Sequence, residues 1–180
     1  MSPIVARRAL HGASAILLLP ALHSAGALRL TLLWVAAFAV LVELLRLGNP
    51  RVAHWLAVRV PVYRPEEAQR ASGALWLAFG YAIAAWLPMP APVAGILAGA
   101  VADPAASWIG ARWGRGAPKS WAGSGAACLV IVGASLAVGS APATGLAAGL
   151  VGAALERWPG PIDDNLLVAP AVAATVAVLA

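Results

Sequence analysis

The sequence predicts an all-α integral membrane protein, a polytopic bundle of about seven transmembrane helices with a cytoplasmic N-terminus. Three observations predict this fold class. First, 62% of the 180 residues are hydrophobic and 11% are charged, whereas soluble domains carry about 25% charged residues. Second, the apolar residues gather in runs that approach the roughly 20 residues needed to cross a bilayer. Third, the basic residues fall almost entirely on one side when these runs are threaded back and forth.

Seven apolar segments are separated by polar loops or by Pro- and Gly-rich turns. They cover about residues 9–23, 26–46, 72–87, 91–109, 122–139, 142–157 and 165–180. The shorter segments are expected to extend into their polar flanks. The stretch 1–22 is interpreted as a first membrane helix rather than a cleaved signal peptide. Residues 49–63 are amphipathic and are expected to lie in the membrane interface.

The basic residues predict the orientation. Threading places residues 1–8, 46–72, 110–121 and 157–164 on one side, and these ranges with Arg46 at their edge contain every Lys and Arg except Arg29. Because Lys and Arg in short loops mark the cytoplasmic side, the N-terminus is expected in the cytoplasm and the C-terminus outside. The chain is thus expected to be a multi-pass cell-membrane protein. No basic run alternates with aromatic residues on a soluble face, so no nucleic-acid partner is expected.

The carboxylates follow the same one-sided division, although acidic residues contribute little to topology. The chain has seven: Glu43, Glu66, Glu67, Asp103, Glu156, Asp163 and Asp164. Carboxylates beside cations at one membrane face suggest a site for a metal and a phosphate. The alternative, that they pair with arginines or cap helices, is equally open for Glu66, Glu67 and one of the two adjacent aspartates.

Asp103 lies inside the fourth apolar segment, where an ionisable residue is costly and indicates function. Ala106, Gly110 and Gly114 follow it at helical spacing, which leaves one face nearly bare and lets a ligand or a helix approach closely. A buried pair between Asp103 and an arginine is the structural alternative. Burial favours Asp103 as the acid that accepts a proton.

Residues 110–125 combine glycines, three cations and hydroxyls, which is typical of loops that bind phosphate. The stretch is not a Walker A motif, because Pro118 precedes Lys119, the only lysine of the chain. Further on, Glu156 and residues 163–165 supply several oxygen ligands of the kind that Mg²⁺ uses. Capping of the last helix explains one of the two adjacent aspartates, but not the whole cluster.

These residues together resemble the CTP-dependent polyprenol kinases, which include phytol and dolichol kinases. Asp103-Pro-Ala-Ala-Ser-Trp-Ile-Gly110-Ala-Arg-Trp-Gly114 resembles the family's Asp-x-x-Ala-x-x-x-Gly-x-x-x-Gly block, and Lys119-Ser120-Trp121-Ala-Gly123-Ser124 its Lys-Ser-x-x-Gly-Ser block. Glu156 with Asp163-Asp164-Asn165-Leu166 and Pro170 is similar to its Glu…Asp-Asn-Leu-x-x-Pro block. Weaker matches are Arg8-Ala-Leu-His11, Glu43-x-x-Arg46 and Glu67-x-x-Arg70-x-x-Gly73. Pro104 departs from the small residue that the family often has there.

The resemblance implies a single domain over residues 1–180, with a weaker-matching N-terminal region (residues 1–72) and a catalytic region (residues 73–180). It implies transfer of the γ-phosphate of CTP to an isoprenoid alcohol in the bilayer, with Mg²⁺, at the cytoplasmic face. Catalytic roles would fall to Asp103, Lys119 and Asp164, and metal binding to Asp103, Glu156, Asp163 and Asp164. Nucleotide contacts would come from Gly110, Arg112, Gly114, Arg115, Lys119, Ser120, Gly123, Ser124 and Asn165. Substrate or head-group contacts would come from Arg8, His11, Glu43, Arg46, Glu67 and Arg70.

Three other functions stay open on the sequence. A CDP-lipid synthase also uses CTP but transfers the cytidylyl group, and it ends in Asp-Arg-x-Asp where this chain has Asp163-Asp164-Asn165. A diacylglycerol kinase that uses CTP differs in its acceptor alone. A small transporter is expected to carry ionisable residues near the membrane midplane and internal repeats, neither of which the sequence indicates. The Gly- and Ala-rich faces permit pairing into a homo-oligomer.

Overall fold

The computed structural model describes residues 3–60, 63–64, 67–114, 119–158 and 160–180. Within these ranges it contains eight α-helices, one 3-10 segment and no strand, which confirms the all-α prediction. The helices are α1 (Pro3–Ala13), α2 (Ala25–Gly48), α3 (Pro50–Arg59), α4 (Gly73–Ala84), α5 (Ala91–Trp113), α6 (Trp121–Ala137), α7 (Pro142–Arg157) and α8 (Asp164–Val178). The 3-10 segment, Ser14–Leu22, joins α1 to α2.

Polar side chains set where most helices begin. An oxygen of the residue before α2, α3, α4, α6 and α8 accepts a backbone N–H from the first turn. Such caps satisfy donors that have no partner inside the helix. The capping residues are Ser24, Asn49, Ser72, Ser120 and Asp163. Two of them, Ser120 and Asp163, are predicted ligand-binding residues, so each also has a structural role.

α5 lies at the centre of the bundle and packs against α1, α4, α6 and α8. Its buried face is made of small residues such as Ala94 and Ala98. A Cβ at Gly95 would collide with the backbone of Ala169 in α8, and a Cβ at Gly123 would lie 2.7 Å from the Ala106 carbonyl oxygen. Such close approaches are how helices associate in lipid, where the hydrophobic effect no longer drives packing.

In the part of the chain that the structure describes, three helical stretches are long and apolar enough to cross a membrane: Ile4–Leu22, Ala25–Gly48 and Ala91–Trp113. This number is smaller than the seven spans that the sequence predicts. The apolar helices α4, α6 and α8 have 12, 17 and 15 residues. At 1.5 Å per residue, α4 is about 18 Å long, short of the roughly 30 Å of a hydrocarbon core. The first stretch also differs from a continuous α-helix, because Pro20 cannot donate a backbone hydrogen bond inside the 3-10 segment.

Cations stack on tryptophans at both ends of the bundle. Near the loop before α5, the Arg29 guanidinium lies 5.2 Å from the centroid of Trp86. At the opposite end, the Arg157 guanidinium lies 4.0 Å from the centroid of Trp121 and 5.2 Å from that of Trp158. All three rings are exposed. Tryptophan and arginine at this kind of position are typical of the membrane–water interface.

Candidate functional site

Lys119 joins three segments that are far apart in the sequence. Its Nζ lies 2.9 Å from Glu156 Oε1 and 2.6 Å from Asp164 Oδ2, and it also donates to the Glu156 carbonyl oxygen. An ammonium has three N–H donors, so this geometry uses all of them. Glu156 stands in the last turn of α7 and Asp164 is the first residue of α8. The Lys119 cluster, defined as Lys119, Glu156 and Asp164, therefore ties α7, α8 and the loop before α6 together.

Electrostatics favour the charged form of Lys119. Burial alone would lower the pKa of the Lys119 ammonium, but the hydrogen bonds and charges of Asp164 and Glu156 outweigh it and raise the pKa. The positive N-terminal end of α8 also stabilises the negative charge of Asp164. Glu156 has the opposite relation to α7, since a carboxylate at a helix C-terminus is unfavourable without a cation. Lys119 supplies that cation and also donates a hydrogen bond to the Glu156 carbonyl oxygen at this helix end.

The register of the helices places the carboxylates at one level. Gly80 of α4 faces the carbonyls of Asn165 and Leu166, and the next residue, Tyr81, packs on Gly99 of α5. The start of α8 therefore lies level with Gly99, one helical turn from Asp103. On the other flank of α5, Gly123 packs against Ala106.

Glu156 belongs to the same level. Ser124, which follows Gly123 in α6, lies 3.5 Å from Glu156 Oε2 through its Oγ. Because Gly123 packs against Ala106, Glu156 is level with the turn of α5 that follows Asp103. Asp103 lies further from the C-terminal end of α5 than expected, because α5 continues to Trp113 instead of ending near 109. Its distance from that end is ten residues, or about 15 Å.

Asp103 faces α1. Its Oδ2 lies 3.6 Å from His11 Nδ1, which is beyond hydrogen-bond reach. One turn further along α5, Ser107 accepts from Arg8, whose Nε and Nη2 reach its Oγ at 3.0 and 2.9 Å. The Asp103 side chain is 30% exposed, so the expected burial is partial. No arginine in the described residues pairs with it, which disfavours the buried Asp–Arg alternative.

Asp163 and Asn165 are hydrogen-bonded to each other. Asp163 Oδ1 accepts from the Asn165 backbone N–H at 3.0 Å and from Asn165 Nδ2 at 2.7 Å. Burial raises the pKa of the Asp163 carboxyl and the charge of Asp164 adds to this, while the Asn165 hydrogen bonds and Arg64 oppose it. The sequence leaves open which of the two aspartates caps the last helix, and in the structure Asp163 has that role.

The predicted nucleotide residues of the loop divide into two groups. Gly110 and Gly114 leave room for Ser120, whose Oγ would lie 3.0 and 2.6 Å from a Cβ at these positions. Ser120 and Gly123 form the cap of α6 through a 3.0 Å hydrogen bond. Arg112 is exposed and lies over the Trp113 ring, apart from the Lys119 cluster. Arg115 lies outside the described residues, as does Glu66.

The second and third N-terminal matches meet in one network, Glu43 and Arg46 through their side chains and Glu67 and Arg70 through their backbone carbonyls. Arg46 pairs with Glu43 and donates to the backbone carbonyls of Glu67 and Arg70 at 2.8 and 2.5 Å. Glu43 accepts in turn from the backbone and side chain of Ser72. This network fixes the segment before α4, so the structure gives Glu43 and Arg46 a structural role. Tyr63 lies against it under the Arg46 guanidinium, and burial raises the pKa of its phenol.

The donor set can be tested against the implied Mg²⁺. No group of three or more His, Cys, Asp or Glu side chains in the described part of the chain is arranged to hold a metal ion. Mg²⁺ is nevertheless often bound by one or two carboxylates together with substrate phosphates and water. Glu156 and Asp164 converge on one point, the Lys119 ammonium, and therefore fit that mode. Asp163 does not fit this mode in the same way, because its Oδ1 already accepts a hydrogen bond from Asn165.

Several residues of the site were not singled out by sequence reasoning. Ser107 anchors Arg8, and Arg157 donates to the Lys119 carbonyl at 3.2 Å. The hydroxyl groups of Tyr81 and Ser14 share a 2.8 Å hydrogen bond. Asp103 and Ser107 are four residues apart on α5, and Arg8 and His11 are three apart on α1. Each pair therefore lies on one face of its helix, about one turn apart, and this is a signal that could have predicted their pairing.

Neither a scan against protein-family models nor searches of curated proteins and solved structures finds a match to this chain.

Proposed function

We propose that this chain is a membrane-embedded lipid-alcohol kinase that transfers the γ-phosphate of CTP to an isoprenoid alcohol. The observation that carries the proposal is the Lys119 cluster. Lys119 comes from one motif block, and Glu156 and Asp164 come from another, 37 and 45 residues away from it. The charged ends of both carboxylates nevertheless lie within 3 Å of the Lys119 ammonium. Convergence of one cation and two carboxylates is what positioning of a phosphate with its metal requires.

Lys119 would bind the transferred phosphate and stabilise the charge that develops on it. Glu156 and Asp164 would hold Mg²⁺, which when bound neutralises phosphate charge and orients the phosphoryl group. Because Lys119 contacts both carboxylates, it must release at least one of them to reach a phosphate. Asp103 would accept the alcohol proton. Its Oδ2 lies 3.6 Å from His11 Nδ1, and Asp103 is one helical turn from the level at which α8 starts.

The composition of the helices supports placement in a bilayer. Three stretches among the described residues are apolar and long enough to cross it, and exposed apolar side chains such as Trp34, Phe38 and Leu41 cover the outside of α2. The proposed arrangement is a multi-pass bundle of about seven spans with the Lys119 cluster at the cytoplasmic face. Its acceptor would then reach the site from within the membrane, and its donor from the water phase.

Position-specific labelling of CTP tests the function. Purified protein in phospholipid nanodiscs is supplied with Mg²⁺, CTP labelled at either the γ- or the α-phosphate, and one acceptor at a time. Label in the lipid product from γ alone, with phytol, farnesol, geranylgeraniol or undecaprenol, is the expected result. Label from α would overturn the kinase and support a cytidylyltransferase. Transfer from γ to diacylglycerol alone would replace the isoprenoid acceptor, and label from neither position with any acceptor would overturn the proposal.

One observation favours a second candidate, a small transporter. Asp103 is the thirteenth residue of the 23-residue α5, close to the middle of a span, where transporters place ionisable residues. Its neighbour His11 is buried with Nδ1 unpaired. Proteoliposomes loaded with a pH-sensitive dye distinguish this candidate: substrate-dependent proton movement that is lost in Asp103→Asn, without phosphoryl transfer, would favour the transporter.

A further inference from the structure

The backbone of Lys119 is anchored, whereas its side chain is the most exposed part of the Lys119 cluster. The Arg157 guanidinium donates to the Lys119 carbonyl oxygen at 3.2 Å, and the next residue, Ser120, caps α6. The Lys119 side chain is 35% exposed, against 10% for Glu156 and 19% for Asp164. Rotation of the side-chain bonds can therefore move the ammonium while the backbone and the two carboxylates stay in place.

The Lys119 ammonium and a divalent cation compete for the same oxygens. Nζ lies 2.6 Å from Asp164 Oδ2 and 2.9 Å from Glu156 Oε1. Mg²⁺ binds carboxylate oxygens at about 2.1 Å, so an ion on the same Asp164 oxygen would lie within about 5 Å of the ammonium. Like charges at that distance repel each other in a partly buried site. The ammonium must therefore leave before a metal ion can bind both carboxylates.

A metal ion that arrives alone finds few ligands with which to displace Lys119. Within the described residues, no third His, Cys, Asp or Glu joins Glu156 and Asp164 in a group that could hold a metal. The neighbouring Asp163 carboxylate already accepts two hydrogen bonds from Asn165. The two carboxylates of the cluster are also partly neutralised, because a lysine ammonium is charged at neutral pH. The protein without nucleotide therefore binds a divalent ion poorly at this position.

The phosphates of a nucleotide reverse this preference. Phosphate oxygens offer the Lys119 ammonium another set of charged acceptors. Once the ammonium turns to them, Glu156 and Asp164 lose their shared cation, and two neighbouring carboxylates without a cation repel each other. The same phosphates supply the further oxygen ligands that Mg²⁺ takes beside one or two carboxylates. The site therefore becomes favourable for a divalent ion only when nucleotide is present.

We infer that Lys119 excludes divalent metal from Glu156 and Asp164 until the phosphates of a bound nucleotide displace its ammonium, so that metal and nucleotide bind as a coupled pair. The inference rests on the proposed function for the identity of the phosphate ligand. It adds a role for Lys119 that precedes phosphoryl transfer. By linkage, metal and nucleotide must each raise the affinity for the other by the same factor.

Three variants separate the position of Lys119 from its charge. Lys119→Met removes the ammonium from the cluster, and Lys119→Met combined with Asp164→Asn removes one of the two carboxylates as well. The matched control, Arg59→Met, removes one positive charge from the exposed end of α3, a helix that packs on α2. All are studied in nanodiscs of phosphatidylcholine, whose head group has no net charge to bind the metal. A single monodisperse elution peak shows that each variant is folded.

Titration with Mn²⁺ in the absence of nucleotide gives the first readout. Mn²⁺ replaces Mg²⁺ because the electron paramagnetic resonance signal of the free ion reports how much is bound. Lys119→Met is expected to bind Mn²⁺ about tenfold more tightly than the unaltered protein, a factor typical of coupling between sites. Addition of Asp164→Asn should remove this gain, and Arg59→Met should match the unaltered protein. Equal affinities of the unaltered protein and Lys119→Met, or a gain that survives Asp164→Asn, would contradict the inference.

The single lysine allows a second readout on the unaltered protein, which decides alone if Lys119→Met does not fold. Because Lys119 is the only lysine, protein made with ε-¹³C-lysine gives one lysine resonance in its NMR spectrum. A CTP analogue with a methylene bridge between the β- and γ-phosphates, at saturating concentration with EDTA, is expected to shift this resonance. Mg²⁺ without the analogue is expected to leave it unchanged. A shift caused by Mg²⁺ alone, or none caused by the analogue, would refute the inference.

Transfer of the γ-label distinguishes failure of this inference from failure of the proposed function. If the unaltered protein transfers the γ-phosphate and also binds Mn²⁺ as tightly as Lys119→Met, the kinase proposal stands and exclusion of the metal by Lys119 is wrong. If no label is transferred while Lys119→Met gains affinity for Mn²⁺ through Asp164 and the analogue shifts the lysine resonance, the coupling is supported and the kinase proposal fails.

Discussion

Arg46 and Glu43, one turn apart on α2, form a buried ion pair with contacts of 3.2 Å between Nε and Oε2 and 2.6 Å between Nη2 and Oε1. Each side chain is about 5% exposed. The pair also fixes the segment before α4, because Arg46 donates to two of its carbonyls and Glu43 accepts from Ser72. It thus joins the end of α2 to residues 67–72.

Removing one member of this pair is expected to destabilise the protein strongly. Arg46→Met leaves the Glu43 charge buried without a partner and should cost about 3–5 kcal/mol. Thermal unfolding in detergent micelles measures the loss, and Arg51→Met on exposed α3 is the control. Arg46→Met combined with Glu43→Met should recover some of the stability. A double variant as unstable as the sum of the single ones would contradict the pairing.

Substitution of Lys119 is expected to affect catalysis more than binding of the alcohol. Lys119→Met removes the cation proposed to meet the phosphate and should lower kcat/KM for CTP by about 100-fold. Transfer of the γ-label measures it, with the exposed Arg59→Met as control. Since Glu156 and Asp164 would be left unpaired, the midpoint of thermal unfolding should fall too. Full activity in Lys119→Met would rule out its role in phosphoryl transfer.

The raised pKa of Asp163 predicts a pH dependence of stability. The folded protein binds this proton more tightly than the unfolded chain, whose carboxyl has the ordinary pKa of 3.8. The stabilisation is therefore complete below pH 3.8 and is lost as the pH rises through the raised pKa. Asp163→Asn retains a residue that caps helices well and should remove this fall. Unfolding midpoints in detergent between about pH 3.5 and 7, a range that reaches about three units above the ordinary value, give the comparison.

Asp164→Asn is the matched control for that titration. It should lower stability at neutral pH, because it weakens the pair with Lys119 that lies 2.6 Å away. If Asp163→Asn showed the same decline with pH as the unaltered protein, the decline would belong to another group.

Two glycines in the first turns of α6 should respond in opposite ways to alanine. A Cβ at Gly123 would lie 2.7 Å from the Ala106 carbonyl oxygen, which is backbone and cannot turn aside. Gly123→Ala should therefore destabilise the contact between α5 and α6 by about 1–3 kcal/mol. A Cβ at Gly125 meets nothing within 4 Å, so Gly125→Ala should stabilise by about 0.4–1 kcal/mol. Equal thermal midpoints for the two variants would contradict the close packing.

Cysteine labelling tests the orientation of the bundle. In a Cys128→Ser background, which removes the single cysteine, new cysteines are placed at Arg59 in α3 and at Ala141 before α7. Both positions are exposed. A membrane-impermeant maleimide should label Ala141→Cys in intact cells and Arg59→Cys after lysis alone. The reverse pattern would invert the topology and place the Lys119 cluster outside, away from CTP.

The positions of the helices could be predicted because apolar runs and their Pro and Gly boundaries are local properties. Residues 142–157 form α7 with the same limits. α5 runs past its predicted end because the helix accommodates Gly110 and no proline follows before the Gly114 cap. The break between α1 and the 3-10 segment was not predicted, since Pro20 alone does not specify where an α-helix gives way.

The candidate site shows the same distinction between residues that local sequence predicts and contacts that depend on how the helices pack. Lys119, Glu156 and Asp164 could be selected from residue type and spacing, and the structure brings their side chains together. The contact of Arg8 with Ser107 depends on the register of α1 against α5 and is not encoded by either segment alone. Glu43 and Arg46 were expected at the substrate. In the structure they bond to each other and to residues 67–72. No local sequence pattern distinguishes such a structural pair from a ligand site.

The stacked tryptophans have a consequence for the choice of membrane. In the proposed membrane arrangement, Arg29 with Trp86 would lie at one interface and Arg157 with Trp121 and Trp158 at the other. Between them runs α5, whose 23 residues span about 34 Å. A bilayer of matching thickness holds the carboxylates at a constant depth, whereas a thinner or thicker one forces the bundle to tilt. Under the proposed function, the acyl-chain length of the bilayer would therefore set how far CTP must reach from the water phase to these carboxylates.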